Sequence, residues 1–350
     1  MSIDIKSMTL PELTEYLTAA GEKPFRAKQL YQWMHQKLAA DFDEMTNLPA
    51  SLREQLKKED CLVTLRQVDV QISKVDGTRK YLFALPDGNV IESVLMRYQF
   101  GCSVCISSQV GCRMGCRFCA STLDGLERNL RPSEMLEQVY RIQRDCGERI
   151  SHVVIMGSGE PFDNYDAVLR FLELISDPNG LNIGQRNLTV STCGIVPKIR
   201  DFARRKPQVT LALSLHAPND EVRRTLMPIA NAYPLKDVLD ACREYSELTG
   251  RRMTFEYSLV AGVNDNEQEA KELGTLLKSF PCHVNLIPVN PIKERSFTRS
   301  DRNNIEKFKN LLEKYGINVT IRREMGRDID GACGQLRKSY LDQRADQKKE

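Results

Sequence analysis

The stretch Gly111-Cys112-Arg113-Met114-Gly115-Cys116-Arg117-Phe118-Cys119 decides how the rest of the chain reads. It sets three thiols in the pattern Cys-x3-Cys-x2-Cys, with an aromatic residue just before the last. Thiolates are the ligands iron–sulfur clusters require, and a short loop containing Gly115 can wrap three sulfurs around one cubane. A [4Fe–4S] cluster normally takes four thiolates. This loop offers three, and no fourth Cys follows at ferredoxin spacing, so one iron is left open to bind something else. The competing reading is a three-thiolate zinc site completed by a distant His. Zinc ligands usually come as one close pair followed by a second pair further on, and no second pair exists here.

A chain of 350 residues with 41% hydrophobic content can build two domains, or one large domain with a sizeable core. It shows no signal peptide and no apolar run long enough to span a membrane. That predicts a soluble, cytoplasmic protein with no membrane partner. In a reducing compartment its eleven Cys are metal ligands, nucleophiles or core residues before they are structural disulfides. A net charge of +3 demands no nucleic acid, although fifty Lys and Arg can still cluster into a basic face.

Taken in order, the chain opens with Thr9-Leu10-Pro11-Glu12, a capping box with Pro in the first turn. Leu10, Leu13 and Leu17 carry one apolar stripe as far as Gly21. Further helices are expected from about Arg26 to Leu38 and from Pro49 to Leu56. Residues 1–60 are therefore a small helical domain, on which Arg26, Lys28 and Lys37 are either phosphate contacts or a solvated face. From Leu62 the period changes to two. Leu62–Val68, Gln71–Val75, Lys80–Leu85 and Val90–Met96 read as strands, with hairpin turns at Asp76-Gly77 and Asp87-Gly88. Residues 61–98 form an antiparallel β extension. Beyond the cluster loop, strand and helix patterns alternate. Strands are expected at Ile150–Met156, Asn187–Ser191, Val209–Leu215, Thr254–Leu259, His283–Ile287 and Asn318–Arg322. The fold class is α/β: a partial (βα)6, TIM-like barrel over residues 99–340, with a charged tail over 341–350. Polar or Gly-rich tags after the strands suit a site at the C-terminal rim.

Several residues can carry chemistry there. In Gly157-Ser158-Gly159-Glu160-Pro161 two glycines let backbone approach a ligand, and the Glu can accept hydrogen bonds from an ammonium group. Ser191, Ser214, Leu215, His216 and Asn290 stand at strand ends, as cofactor contacts or as turn residues. Cys333, flanked by Ala332 and Gly334, reads as an accessible thiol or an incidental one. Cys105 is an inert strand residue, a substitute ligand or a reactive partner for Cys333. Glu92, in an apolar strand, is a general base or a carboxylate on the strand's exposed face. Cys61, Cys102, Cys146, Cys193, Cys242 and Cys282 read as core or surface residues.

The motifs as a set resemble one family closely. They are Cys105-Ile-Ser-Ser-Gln-Val-Gly-Cys-Arg-Met-Gly-Cys-Arg-Phe-Cys-Ala, Gly125-Leu-Glu-Arg-Asn-Leu, Gly159-Glu-Pro, Ser214-Leu-His and Asp328-Ile-Asp-Gly-Ala-Cys-Gly-Gln-Leu. The family is the radical S-adenosylmethionine 23S ribosomal RNA (adenine-C2) methyltransferases, of the type with dual specificity for ribosomal and transfer RNA. The resemblance spans essentially the whole chain, with Ser158 standing where Met is common. Val110, Leu286-Ile-Pro-Val-Asn-Pro and Thr320-Ile-Arg-Arg-Glu-Met-Gly look like the C2 branch rather than its C8 sister branch. A different radical reaction is the further alternative.

The resemblance implies one [4Fe–4S] cluster on Cys112, Cys116 and Cys119. It also implies two S-adenosylmethionine molecules per turnover, contacted by Gly159, Glu160, Ser191, Ser214, Leu215, His216 and Asn290. Cys333 would first be methylated, and a 5′-deoxyadenosyl radical would then take a hydrogen from that methyl group. The carbon radical would add to adenine 2503 of 23S ribosomal RNA, and to adenine 37 of some transfer RNAs. Glu92 is implied as proton acceptor, with Cys105 competing for that role, and attack of Cys105 on the sulfur of Cys333 would release methylated RNA. The implied partners are these RNAs and an electron donor such as flavodoxin or ferredoxin, with the enzyme a monomer. The N-terminal helices would grip RNA by phosphate and shape, since the target base must be extruded.

Overall fold

Thr9 starts the first helix as the sequence marks it. The Glu12 carboxylate accepts the Thr9 N–H at 2.7 Å, the Thr9 hydroxyl accepts the Glu12 N–H, and Pro11 sits in the first turn. Helix α1 is Leu10–Ala19, followed by α2 (Pro24–His35) and α3 (Ala50–Lys58). The structure, a computed structural model, describes residues 3–292, 294–329 and 336–341.

Strand β1 (Arg66–Ile72) pairs antiparallel with β2 (Arg79–Ala84), β2 with β3 (Val90–Tyr98), and β3 with β4 (Gly101–Ile106). Gly77 and Gly88, with φ of 71° and 86°, close the first two hairpins at the expected Asp-Gly turns. The expected pair of strands at 62–68 and 71–75 is corrected to the single strand β1. Residues 62–65 join no ladder; Val63 and Leu65 are buried, and the Val63 carbonyl accepts the Lys6 ammonium at 2.6 Å.

The remaining strands are β7 (Ile150–Ile155), β8 (Leu188–Thr192), β9 (Thr210–Ser214), β10 (Met253–Leu259), β11 (Cys282–Pro288) and β12 (Asn318–Ile321), all parallel to β4. A separate two-stranded pair, β5 (Gln109–Gly111) with β6 (Leu126–Asn129), brackets the cluster loop. The main sheet has ten strands in the order β1-β2-β3-β4-β7-β8-β9-β10-β11-β12. It is an open, barrel-like sheet in which β4 adds a parallel strand to the six expected. Helices α4 (Pro132–Cys146), α5 (Tyr165–Ser176), α6 (Val196–Arg204), α7 (Asp220–Leu226), α8 (Leu235–Thr249), α9 (Glu267–Leu277) and α10 (Arg302–Lys314) alternate with the strands. Of these, α6 and α7 were not foreseen. Among the described residues no helix is long and apolar enough to cross a membrane.

Strands β8 and β11 each have one face more covered than the other. In β8 and β11 every second residue is buried, and Leu188, Val190, Val284 and Leu286 join the core. The residues between them, Thr189, Ser191, His283 and Asn285, are half-buried and polar. One core runs unbroken from Ile5 and Leu30 on the N-terminal side through to Val319.

Buried polar contacts join α1–α3 and their flanks to α4 and α5. The Lys6 ammonium lies 2.5 Å from Glu137 with both side chains buried, Tyr31 donates to Asp177 at 2.7 Å, and His35 Nδ1 meets the Tyr140 hydroxyl at 2.9 Å. Removing one partner of a buried pair strands the other charge, so Lys6→Met is expected to cost about 3–5 kcal/mol. Urea unfolding of that variant, beside Lys6→Met/Glu137→Met, which should recover most of the loss, checks it.

Burial, with Lys6 nearby as a smaller cause, lowers the His35 pKa from 6.5 to about 3. The other three histidines are lowered as well, His216 to about 3, again chiefly by burial. A lowered histidine makes the unfolded chain the one that binds the proton below pH 6.5. Stability is then fully present above that pH and is lost as pH falls towards 3. The unfolding free energy should fall by about 1.4 kcal/mol per pH unit for each of His35 and His216 below about pH 6. Urea titrations between pH 7 and pH 5 test this, and His35→Phe should remove one proton's worth of the slope.

Candidate functional site

The cluster loop is shaped by glycines and backbone bonds. Gly111 has φ 75°, and a Cβ there would meet the Gly125 carbonyl oxygen at 2.0 Å. That close approach lets Cys112 N–H donate to the same oxygen at 2.8 Å. Thr122 donates its hydroxyl to the carbonyls of Cys116 and Cys119, at 3.0 and 2.9 Å. Arg117 N–H donates to Leu226 at the end of α7 at 2.9 Å, seating the loop on that helix. Cys116 then packs with Cys193, Leu226, Met227, Val260 and Val289, and Met114, Phe118 and Cys119 close over them.

The donor set fits a polynuclear iron–sulfur group. Cys112 and Cys116 are buried, and burial, with the other thiols as further causes, pushes Cys112 up to about 12 and Cys116 well above its usual value. Three soft donors this close stay ionised together only around a strongly charged metal centre. Among the described residues no three Cys, His, Asp or Glu side chains converge as a mononuclear metal site would.

Gln109 ties this loop to the segment after β7. Its Nε2 donates to Asn129 at 2.7 Å and Asp163 at 2.9 Å, and its Oε1 accepts the Glu160 N–H at 2.8 Å. Asp163 also pairs with Arg113. Gly159 has φ 106°, and a Cβ there would lie 2.6 Å from that of Gln109. Glu160 is buried and accepts the N–H of Phe162 at 3.0 Å and of Cys193 at 2.8 Å. Burial raises its pKa. A carboxylate has about four acceptor positions, so it can still take a ligand's ammonium.

Ser191 and Ser214 close the next two strands with their hydroxyls 3.5 Å apart. Leu215 and His216 both donate their N–H to the Glu256 carbonyl, which holds His216 at φ 55°. Ser258 N–H donates to His216 Nδ1 at 2.9 Å, so the ring proton sits on Nε2. Phe118 meets the His216 ring edge-on at 4.8 Å between centroids. Arg223 on α7 is fully buried and donates to the carbonyls of Cys193, Ser214 and Leu215. Asn290 follows β11 and is exposed, while its neighbour Val289 packs on the cluster loop.

Glu92 and Cys105 lie on adjacent strands. Cys105 pairs with Val94, so it shares a face with Glu92. The alternative of an exposed Glu92 is corrected: it is buried, 3.2 Å from the buried Lys80 ammonium, and it accepts the Arg337 N–H at 2.5 Å. Cys333 lies outside the described residues. Upstream of it, Asp328 accepts from the Ser73 hydroxyl at 2.5 Å and the Lys74 N–H at 2.8 Å; downstream, Arg337 Nε donates to Val90 at 3.0 Å.

Sequence reasoning did not single out Gln109, Asp163, Arg223 or Lys80, and it read Cys193 as core or surface rather than as part of the site. Lys80 had a signal: it and Glu92 are opposite charges in two neighbouring apolar strands.

Comparison with known proteins agrees with this geometry. Residues 106–274 match the family model of the radical SAM superfamily, and residues 3–62 match that of the ribosomal RNA large subunit methyltransferase N-terminal domain. A probable dual-specificity RNA methyltransferase RlmN from Lachnospira eligens is 64% identical over 97% of both chains. One of the same description from Lachnoclostridium phytofermentans is also 64% identical, over 97% of this chain and 96% of its own. The crystal structure of a radical SAM methyltransferase from Sphaerobacter thermophilus superposes with a TM-score of 0.92 at 45% identity, covering 95% of this chain and 98% of its own. Likeness of this length and degree, over both the helical region and the cluster-bearing sheet, places the chain in the RlmN family of radical S-adenosylmethionine, dual-specificity RNA methyltransferases.

Proposed function

We propose that the chain methylates C2 of adenine, at position 2503 of 23S ribosomal RNA and position 37 of transfer RNAs, with Cys333 as methyl carrier. The observation that carries this reading is the shared face of Glu92 and Cys105, with the chain on both sides of Cys333 bonded to strands or turns of the same antiparallel extension. Three residues separate Cys333 from Arg337, a reach of about 14 Å at most from one Cα to the other. A thiol on that tether can serve both a base and a second thiol on β3 and β4.

The residues would divide the work as follows. Cys112, Cys116 and Cys119 would hold one [4Fe–4S] cluster. Gly159, Glu160, Ser191, Ser214, Leu215, His216 and Asn290 would hold S-adenosylmethionine, two molecules being used per turnover. When bound, the two together supply a 5′-deoxyadenosyl radical, which takes a hydrogen atom from a methyl group. Cys333 carries that methyl group and forms the covalent link to the adenine. Glu92 accepts the proton that the ring carbon loses, and the adduct's one unpaired electron would return to the cluster, which supplies one electron at the start of the turnover. The Cys105 thiolate attacks the sulfur of Cys333, forming an S–S bond, and the carbon–sulfur electron pair passes to the methylene carbon, which takes a proton to become methyl.

Helix α2 suits the RNA. Phe25 is exposed with the Arg26 guanidinium 4.6 Å from its ring, the Lys37 ammonium stands 3.6 Å over Trp33, and Lys28 is exposed beside them. Cations interleaved with aromatics bind phosphates and stack on unpaired bases. The chain would act as a cytoplasmic monomer taking electrons from a flavodoxin or ferredoxin.

The mass of the tryptic peptide 328–337 from freshly purified protein tests the carrier. A fraction with one added methyl on Cys333 is expected. An unmodified thiol after incubation of cluster-loaded enzyme with S-adenosylmethionine would overturn the reading. Glu92→Gln should retain peptide methylation and slow release of methylated RNA by about 10²–10⁴-fold, as loss of a general base does. RNA covalently bound to protein, seen on denaturing gels, is the readout.

A further inference from the structure

Two opposite charges stand in apolar strands away from water. Lys80 on β2 is fully buried, Glu92 on β3 nearly so, and Nζ lies 3.2 Å from Oε2. Lys80 pairs in the ladder with Val94 and Glu92 with Leu82, so the contact runs diagonally across one face. Val94 also pairs with Cys105, so that face is the one bearing the second thiol of the site. The other carboxylate oxygen takes the Arg337 N–H at 2.5 Å. A buried ion pair often contributes no more to stability than a well-packed apolar pair of the same volume. Its surroundings, Leu82, Ala84, Val90 and Leu336, are of the kind that would take such a pair. Stability alone therefore gives no reason for these charges.

We infer that Lys80 is a positioning residue for the proton transfer, holding Glu92 as an oriented carboxylate that can accept the proton of the target ring carbon. The inference rests on reading Glu92 as that acceptor. In the step the ring C–H bond of the adduct breaks, its electron pair stays in the purine, an O–H bond forms on Glu92, and the adduct's one unpaired electron would return to the cluster that supplied the first. A carboxylate removed from water without a counter-charge keeps a proton of its own, and a carboxylic acid cannot accept another. The ammonium supplies the counter-charge, and the Arg337 N–H fixes the second oxygen.

The test uses cluster-loaded enzyme with S-adenosylmethionine, a reductant and an RNA carrying the target adenine. It reads two quantities in one sample: 5′-deoxyadenosine formed, and RNA left covalently attached to protein. Their ratio is blind to misfolded enzyme, which makes neither. Lys80→Met is expected to trap RNA on the protein as Glu92→Gln does, with release slowed about 10²-fold. Lys80→Arg, which keeps the charge, should release RNA close to the parental rate. Lys80→Gln, a neutral side chain that still donates a hydrogen bond, carries the comparison if Lys80→Met does not fold. Release at the parental ratio by the neutral variants, while Glu92→Gln traps its RNA, would overturn the inference for Lys80. Release at that ratio by Glu92→Gln itself would remove the acceptor reading, and the inference with it.

Discussion

A parallel sheet usually carries helices on both faces, and its strands then read as continuous apolar runs. Here β8 and β11 alternate instead, one face buried and the other half-buried and polar. In β11 the residues Val284 and Leu286 join the core, whereas His283 and Asn285 between them are half-buried and polar. The rest of the architecture follows from that constraint. A polar row crosses adjacent strands in register: Ser214, Glu256, Asn285 and Thr320. Asn285 donates to Glu256 at 2.9 Å, and the Thr320 hydroxyl donates to Asn285 at 3.2 Å, so the row is held in order by its own hydrogen bonds.

The rim of strand ends is tied together largely by backbone. Arg223 gathers three carbonyls from the ends of β8 and β9, Glu160 takes two N–H groups, and the N–H groups of Leu215 and His216 meet on one oxygen. Such bonds fix the directions of strand-end side chains without consuming the side chains that would face the cofactor. The helical region is fastened just as firmly through Lys6, Tyr31 and His35. With the core continuous between them, α2 and the strands that carry the rim are joined through one packed interior.

Much of this was legible in the residues. The capping box at Thr9 and Glu12 and the Asp-Gly turns are local signals, and the helix and hairpins they mark are present; the change of period at Leu62 marked the extension but not its first strand, which starts at Arg66. The Cys spacing announced a cluster because ligand chemistry is set by three residues in one loop. Strand β4 was not legible: its Gly, Ser and Cys residues lack the composition of a strand, and its place comes from pairing with β3 on one side and β7 on the other. Glu92 was ambiguous for a related reason. One carboxylate in an apolar strand faces water or a partner, and only the approach of Lys80 and Arg337 decides which.

The sequence by itself determined the alternation of strand and helix and the family, and it marked three Cys as candidate cluster ligands, because these depend on residue types at short spacing. Tertiary structure alone decided which strand ends meet, that Glu92 and Cys105 share a face, and that Gln109, Arg223 and Lys80 belong to the site. Gln109 contacts residues about 50 positions away, and Arg223 reaches a carbonyl 30 positions back. Contacts of that kind arise from register and packing between distant segments, which no local pattern of residues encodes.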